Sequence, residues 1–287
     1  MSTAVILPGS KNPATRPDTI SPADFAVIAD MVRARSGIVL GVDKAYLVES
    51  RLEQIVRNHR YSGLAELTAR LRSNPNDPLA YEIVDAMTTN ETLFFRDAKP
   101  FDHLRRHLPV LHATIPASQP LRIWSAAASS GQECYSIAIT ALEAGLGTRT
   151  VQILGTDISA EQVARAQQGL YSEFEVQRGL STPNLIKYFR KADGGWRVND
   201  PVRRLVEFRR WNLMEDLRPL GMFELVFCRN VLIYFDIPTK RRVLAAIWER
   251  MAPGGLLYLG GAETTFGVTD KFVPCVGAHQ VYSAVPA

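Results

Sequence analysis

Side chains that can bind or position a small ligand are concentrated in the segment 88–96, which reads Thr-Thr-Asn-Glu-Thr-Leu-Phe-Phe-Arg. The segment combines hydroxyls, an amide, a carboxylate and a guanidinium with an apolar Leu-Phe-Phe centre. Amphipathic helical patterns precede it, and alternating strand and helix patterns follow it. A polar cluster at such a junction is placed where a cleft between two parts of a protein binds its ligand. A solvated hinge, or a helix N-cap followed by a buried aromatic pair, is the alternative interpretation.

The first of three polar strand ends is the loop 126–133, which reads Ala-Ala-Ala-Ser-Ser-Gly-Gln-Glu. Open α/β sheets bind ligands at the carboxyl ends of their strands, and small residues let a ligand approach the backbone. Gly131 is the loop's only glycine, so the loop is not Gly-x-Gly-x-x-Gly, and the chain has no Gly-x-x-x-x-Gly-Lys-Ser/Thr motif. Glu133 at the following helix start disfavours a pyrophosphate and suits a cationic or hydroxyl group.

Asp157 ends the second predicted strand, where a carboxylate can accept both hydroxyls of a ribose. The alternative is that Asp157 caps the next helix. The third strand end is 228–236, in which Arg229 and Asn230 follow a buried strand and Tyr234 stands in an apolar run. A capped turn with a core tyrosine is the alternative there.

A small-residue loop, a ribose-type carboxylate and no phosphate cradle predict a nucleoside site with a non-phosphate tail. S-adenosylmethionine is the common cofactor of that description. Arg96 could bind the carboxylate of its amino-acid end in a fork, and Glu133 could meet its ammonium group.

Composition is ordinary for a globular enzyme: of 287 residues, 46% are hydrophobic and 22% charged. The net charge of +4 is dispersed, so composition alone does not indicate a nucleic-acid partner. The three cysteines show no Cys-x-x-Cys spacing, which argues against disulfides and structural zinc and favours a reducing cytosol. No signal-peptide core and no apolar run of roughly 20 residues is present, so a soluble, cytoplasmic protein is expected.

The elements predict an all-α N-terminal domain and a larger α/β domain. Residues 1–18 are expected to be a disordered tail, 19–88 a helical domain, 89–98 a linker that contributes to the cofactor site, and 99–287 the α/β domain. Alternation of strands and helices from 121 onward predicts a parallel sheet covered on both faces. The alternation breaks at about 171–204, where Gly194-Gly195 suggests an inserted hairpin.

The second predicted helix, 44–60, has an apolar arc and a basic arc. Arg57 and Arg60 lie opposite the apolar arc, and Arg51 lies beside it. A solvated helix face is the simple interpretation, and a docking surface for an acidic helix is the alternative.

Three segments together resemble the chemotaxis-receptor glutamate methyltransferases, the CheR family. They are 88–96, 124–133 (Trp-Ser-Ala-Ala-Ala-Ser-Ser-Gly-Gln-Glu) and 227–236 (Phe-Cys-Arg-Asn-Val-Leu-Ile-Tyr-Phe-Asp). Their order and spacing extend the resemblance from about Ser21 to the last strand. The resemblance implies a helical N-terminal domain, a linker and a Rossmann-like S-adenosylmethionine methyltransferase domain with a small inserted antiparallel β subdomain.

The resemblance also implies roles for residues of this chain. The implied cofactor-binding residues are Asn90, Thr92, Arg96, Glu133, Asp157, Asn212, Leu213, Arg229 and Asn230. Arg51, Arg57 and Arg60 match the family's receptor-facing basic helix, and Arg96 and Tyr234 are the catalytic candidates that would orient the incoming carboxylate. Two features depart from the family. Cys134 stands where the family often has Pro, and the insertion between Tyr188 and Val206 is shorter than in members that bind a receptor's C-terminal peptide.

The expected reaction is methyl transfer from S-adenosylmethionine to receptor glutamates, which yields methyl esters and S-adenosylhomocysteine. The expected partner is a chemoreceptor's cytoplasmic helices, with no nucleic acid, no membrane insertion and a monomeric enzyme. Two alternatives stay open: a methyltransferase acting on a small molecule or RNA, and a non-catalytic adaptor that senses S-adenosylmethionine. The absence of a basic patch interleaved with aromatic residues counts against RNA.

Overall fold

The computed structural model describes residues 19–116 and 118–286. The predicted tail 1–18 lies outside the described residues. The chain divides into two compact units, each of which is built from more than one segment of the sequence. Among the described residues, 19–31 and Leu40–Met87 form the first unit, whereas Val32–Val39 groups with the described residues from Thr88 onward.

The first unit is built from helices. Its elements are α1 (Pro22–Ser36, whose last residues belong to the second unit), α2 (Ala45–Asn58), α3 (Leu64–Ser73) and α4 (Leu79–Met87), with a short 3-10 helix at Val42–Lys44. Asp24 in the first turn of α1 accepts hydrogen bonds from Thr68 Oγ1 at 2.6 Å and Arg72 Nη2 at 2.8 Å. Those bonds hold the pKa of Asp24 below its usual value, the one from Thr68 contributing most.

The basic arc of α2 differs from the prediction in one respect. Val48, Leu52 and Ile55 form the buried face as predicted, but α2 ends at Asn58. Arg60 therefore lies in the following turn with a φ of 58°, because the chain reverses there rather than continuing the helix. Arg57 is exposed and pairs with Glu53 at 2.9 Å, one helical turn away. Arg51 is half-buried and donates to Ala86 O at 3.3 Å.

The second unit has a seven-stranded sheet in the order β6-β2-β1-β7-β8-β10-β9. The strands in chain order are β1 (Leu121–Ser125), β2 (Val151–Asp157), β3 (Leu170–Tyr171), β4 (Phe189–Ala192), β5 (Gly195–Val198), β6 (Val206–Arg210), β7 (Phe223–Cys228), β8 (Met251–Leu259), β9 (Phe272–Pro274) and β10 (Val281–Ala284). The first five strands of the sheet are parallel, and β10 runs antiparallel to β8 and β9.

Helices cover this sheet, which explains its apolar strands. They are α5 (Lys99–Thr114), α6 (Gln132–Glu143), α7 (Ala160–Gln168), α8 (Glu173–Gln177), α9 (Thr182–Tyr188), α10 (Asp200–Arg203) and α11 (Ile237–Trp248). The chain leaves β1 toward β2 on one side and returns to β7 on the other, so the strand order reverses at β1. This reversal is the position at which a doubly wound sheet opens a crevice for its ligand.

A second sheet, β3-β5-β4, is small and antiparallel. The predicted fold class, a Rossmann-like domain with a small antiparallel subdomain after an all-α region, is therefore confirmed. The sequence pattern predicts a helix over 238–251 and a strand over 255–259, whereas α11 ends at Trp248 and β8 begins at Met251. Met251 pairs with Phe223 of β7, so the strand starts earlier than predicted.

Candidate active site

One cavity of the second unit lies at the carboxyl ends of the central strands and contains about 880 Å³ of space not filled by protein atoms, part of it open to solvent. All of the residues predicted for cofactor binding or catalysis line it: Asn90, Thr92, Arg96, Glu133, Asp157, Asn212, Leu213, Arg229, Asn230 and Tyr234. Arg51, Arg57 and Arg60 belong to the first unit. The individual roles of these residues stay predictions.

The loop after β1 is shaped by Asp157 at the end of β2. Ser129 N donates to Asp157 Oδ2 at 2.7 Å, and Ser159 N donates to Oδ1 at 2.9 Å. Ser159, not Asp157, caps α7, since its hydroxyl accepts from Gln162 N. Asp157 is thus free of the helix-cap role that was the alternative interpretation.

Asp157 keeps capacity for a ligand. A carboxylate has about four acceptor positions, and the hydrogen bonds from Ser129 and Ser159 occupy one on each oxygen. Burial raises the pKa of Asp157, while the hydrogen bonds from the backbone of Ser159 and Ser129 act in the opposite direction. Hydroxyl donors from a ligand would add to those hydrogen bonds and favour the charged form.

Gly131 makes the turn into α6 possible. Its φ is 94°, a left-handed conformation that favours glycine. An added Cβ would also lie 2.9 Å from Ala166 Cβ and 3.0 Å from Phe208 Cζ. The single glycine of this loop therefore serves close packing of α6 on its neighbours, not a phosphate cradle.

The guanidinium of Arg229 is buried and binds other groups of this chain. With the side chain 1% exposed, it donates from Nη1 to Glu133 Oε2 and from Nη2 to Asp97 Oδ2, each at 2.8 Å. Nη2 also donates to Arg96 O at 2.8 Å, and Ser125 Oγ donates to Glu133 Oε1 at 2.9 Å. Arg229 therefore orients Glu133 and the linker, so any effect on the cofactor passes largely through those two elements.

The linker 89–98 is held against the sheet domain by several hydrogen bonds. Ser129 Oγ donates to Asn90 O at 2.9 Å, and Phe95 N donates to Ser136 Oγ at 2.9 Å. Arg96 Nη1 donates to Glu91 O at 2.8 Å, which leaves the rest of the fork for other acceptors. These contacts make the linker one wall of the cavity.

The aromatic pair of the linker packs as a core would. Phe94 is fully buried, and its ring meets those of Tyr171 and Phe189 edge to face at 5.0 and 5.4 Å. Phe95 meets Phe101 at 5.2 Å. Phe95, Asp97 and Ala98 all have positive φ, a costly conformation for residues other than glycine, and such strain tends to occur at functional sites.

Two parts of the cavity wall were missed in the sequence. Ser36 and Ile38 line it from the segment Val32–Val39. Asn212 Nδ2 donates to Arg35 O at 2.6 Å, and Val39 N donates to Tyr234 O at 2.9 Å. The sequence pattern showed only the end of a helix there.

Trp211 is another wall residue that was not predicted from the sequence. It follows β6, donates its backbone N–H to Asp157 O at 2.9 Å, and lines the cavity. Its indole Nε1 is buried without a hydrogen-bond partner among the described residues. Two carboxylates, a free part of a guanidinium and an unpaired indole N–H suit a cofactor that carries a diol, an ammonium and a carboxylate.

Comparison with known proteins gives consistent matches along the chain. The model of the CheR methyltransferase all-alpha domain matches residues 23–88, and the model of the CheR methyltransferase SAM-binding domain matches residues 90–281. The fold and the cavity thus define a methyltransferase that uses S-adenosylmethionine.

Curated relatives match at nearly full length. A chemotaxis protein methyltransferase from Vibrio anguillarum is 44% identical over 88% of this chain and 94% of that protein. Chemotaxis protein methyltransferase 1 from Pseudomonas aeruginosa is 43% identical over 87% and 93%, and the protein from Salmonella typhimurium is 34% identical over 88% of each. Among solved structures, SAM-bound CalS10, an amino pentose methyltransferase from Micromonospora echinaspora, is 17% identical over 59% of this chain and 50% of that one, with a TM-score of 0.34. On the family models and the curated relatives, the chain belongs to the CheR family.

No helix within 19–116 and 118–286 has both the length and the apolar composition needed to cross a membrane.

Proposed function

We propose that this protein transfers a methyl group from S-adenosylmethionine to side-chain carboxylates of specific glutamates in the cytoplasmic helices of chemoreceptors. The products are glutamate methyl esters and S-adenosylhomocysteine. The observation that carries the proposal is the convergence of all the residues predicted for cofactor binding or catalysis on one cavity in a CheR-family chain. The enzyme acts as a monomer on a protein substrate.

In this proposal, different residues of the cavity bind different groups of the cofactor. Asp157 accepts hydrogen bonds from the ribose hydroxyls, and Glu133 accepts hydrogen bonds from the ammonium group. Arg96 binds the carboxylate of the cofactor through charge-assisted hydrogen bonds. Asn90 and Thr92 contact the cofactor from the linker, and Asn212-Leu213 and Asn230 contact it from later strand ends. The side-chain amide of Asn212 donates to Arg35 O and accepts from Met214 N, and these two hydrogen bonds fix its orientation at the cavity.

The acceptor needs no general base. A free glutamate has a pKa of about 4.3 and is an anion at neutral pH. The bound cofactor supplies an electrophilic methyl group on a positively charged sulfur. The protein's task is then to align the acceptor oxygen with that methyl and to exclude water, because opposite charges are neutralised during transfer. Tyr234 and the part of Arg96 not engaged with the cofactor orient the incoming carboxylate.

Recognition of the receptor is assigned to the helical domain, 19–88, through Arg51, Arg57 and Arg60. The Arg57–Glu53 pair is exposed, and such pairs contribute only about 0.3–0.5 kcal/mol, so carboxylates of a partner helix can compete for Arg57. The linker 89–98 joins this domain to the catalytic domain, 99–287, which carries the β subdomain at about 171–204. Methylation removes a negative charge from the receptor helix and can shift a two-state signalling element.

A labelling experiment tests the proposal. Purified protein is incubated with methyl-tritiated S-adenosylmethionine and membranes that contain one candidate receptor, and label released by mild base is counted. We expect base-labile label in the receptor band and none when the receptor's methyl-accepting glutamates are replaced by alanine. Label in RNA or in small molecules would support a different methyltransferase, and cofactor binding without any turnover would support an adaptor.

A further inference from the structure

A second carboxylate lies directly behind the cavity wall. Glu263 follows β8, is 3% exposed, and accepts four backbone hydrogen bonds. Oε2 accepts from Gly260 N at 2.7 Å and Asn230 N at 2.8 Å, and Oε1 accepts from Val231 N at 2.9 Å and Ile233 N at 3.3 Å. A carboxylate has about four acceptor positions, so Glu263 has none left for a ligand.

The bonds of Glu263 fix the loop between β7 and a 3-10 helix at Leu232–Tyr234. Asn230 in this loop and Tyr234 at the end of the 3-10 helix both line the cavity. Asn230 has a φ of 57°, a conformation that is rare outside glycine and that needs support from its surroundings. Successive N–H groups that converge in this way form a nest for an anion. Glu263 supplies that anion from within the chain.

The loop after β8 is fitted closely to this arrangement. A Cβ added to Gly260 would lie 2.7 Å from Asn230 Nδ2, 2.8 Å from Asn230 N and 2.8 Å from Glu263 Oε2. Gly260 therefore allows the two loops to approach each other at the point where Glu263 binds. Any side chain there would push Asn230 or Glu263 away.

We propose that Glu263 is a positioning residue for the methyl transfer: it holds Asn230 and Tyr234 in the conformation that binds cofactor and acceptor carboxylate. This role for Glu263 rests on the proposed function. Glu263 does not belong to the described lining of the cavity, and its oxygens face backbone N–H groups. Its effect on the reaction is exerted through the loop.

The first variant is Glu263→Gln, which keeps the size of the side chain but turns one acceptor oxygen into a donor facing two N–H groups. We expect kcat to fall about 10²-fold, as for a misplacement of about 1 Å, together with weaker binding of S-adenosylhomocysteine. Glu224→Gln is the matched control. Glu224 Oε2 also accepts a backbone N–H, from Arg122 at 2.6 Å, but Glu224 is not among the residues that line this cavity. The control should leave both quantities unchanged.

Gly260→Ala is the second variant, and it disturbs the same loop while keeping the carboxylate. It should reproduce the loss in kcat even if Glu263→Gln folds poorly. Glu263→Gln is also made in a Tyr234→Phe background. Because we place Tyr234 downstream of Glu263, the fold-loss from Glu263→Gln should be smaller there than in the wild type.

The outcomes are separable from failure of the proposed function. If the wild type methylates no receptor, the proposed function fails, while weaker S-adenosylhomocysteine binding by Glu263→Gln still tests the loop. If folded Glu263→Gln and Gly260→Ala keep the wild-type kcat and cofactor affinity, Glu263 is a stabilising residue only and the inference is overturned. Equal fold-losses with and without the Tyr234 hydroxyl would also overturn the route through Tyr234.

Discussion

Two buried carboxylates, Asp157 at the end of β2 and Glu263 after β8, bind backbone N–H groups on opposite sides of β1 and β7. Asp157 lines the cavity and accepts two such bonds from Ser129 and Ser159. Glu263 stands behind the wall and accepts four. We infer that unused acceptor capacity, more than burial or charge, separates a carboxylate that can bind a ligand from one that can only stabilise the fold.

The largest expected difference between Glu263 and Asp157 is in their contribution to the free energy of unfolding. Glu263→Ala leaves four backbone N–H groups without their acceptor, at about 1–3 kcal/mol each, so we expect a loss of at least about 4 kcal/mol in the free energy of unfolding. Asp157→Ala leaves two such N–H groups, those of Ser129 and Ser159, and should cost about 2 kcal/mol. Urea unfolding of both variants measures the difference. A larger loss for Asp157→Ala would reverse the assignment of roles.

A third carboxylate, Glu133, differs from both because its partner is a buried cation, the guanidinium of Arg229. Arg229→Met removes that cation and leaves Glu133 and the linker without their partner. We expect a loss of about 3 kcal/mol in unfolding free energy and weaker binding of S-adenosylhomocysteine. Arg218→Met removes an exposed ion pair with Asp216 and is the control. Unchanged stability of Arg229→Met would show that Glu133 is held by Ser125 alone.

Charge on the first unit should act on the receptor and not on the cavity. Arg57→Glu reverses an exposed charge, so we expect a several-fold drop in receptor methylation, on the order of 1 kcal/mol, that shrinks as salt is raised. The affinity for S-adenosylhomocysteine should stay at the wild-type value. Arg105→Glu, on α5 in the other unit, is a matched exposed control. Equal losses in both variants would remove the docking role.

The raised pKa of Asp157 predicts that its contribution to the free energy of unfolding depends on pH. Because the native state holds the proton more tightly than the unfolded state, this group stabilises the fold most at low pH. That contribution is lost as pH rises from about the ordinary value of 3.8 through the native pKa. Asp157→Asn should therefore gain stability relative to the wild type across that range. Urea unfolding at several pH values measures the gap, and a gap that stays constant would contradict the raised pKa.

The parts of the site that could be predicted are those carried by strand ends. Asp157 and Arg229 follow apolar strands, and parallel strands bring their carboxyl ends to one edge. Ser36 and Ile38 could not be predicted, because their place in the wall depends on contacts such as Asn212 with Arg35, 177 residues apart. Glu263 was missed for a similar reason: three of its four partners lie 30 to 33 residues away in the chain, and a carboxylate shortly after two glycines looks like an exposed turn.

The most direct test of the account is a calorimetric titration of S-adenosylhomocysteine into the wild type, Asp157→Ala and Glu224→Gln. Loss of charge-assisted hydrogen bonds to the ribose should weaken binding by Asp157→Ala about 10²-fold, or about 2.7 kcal/mol. Glu224→Gln should bind as the wild type does. Equal affinity of the wild type and of folded Asp157→Ala would contradict the claim that this cavity binds the cofactor through Asp157.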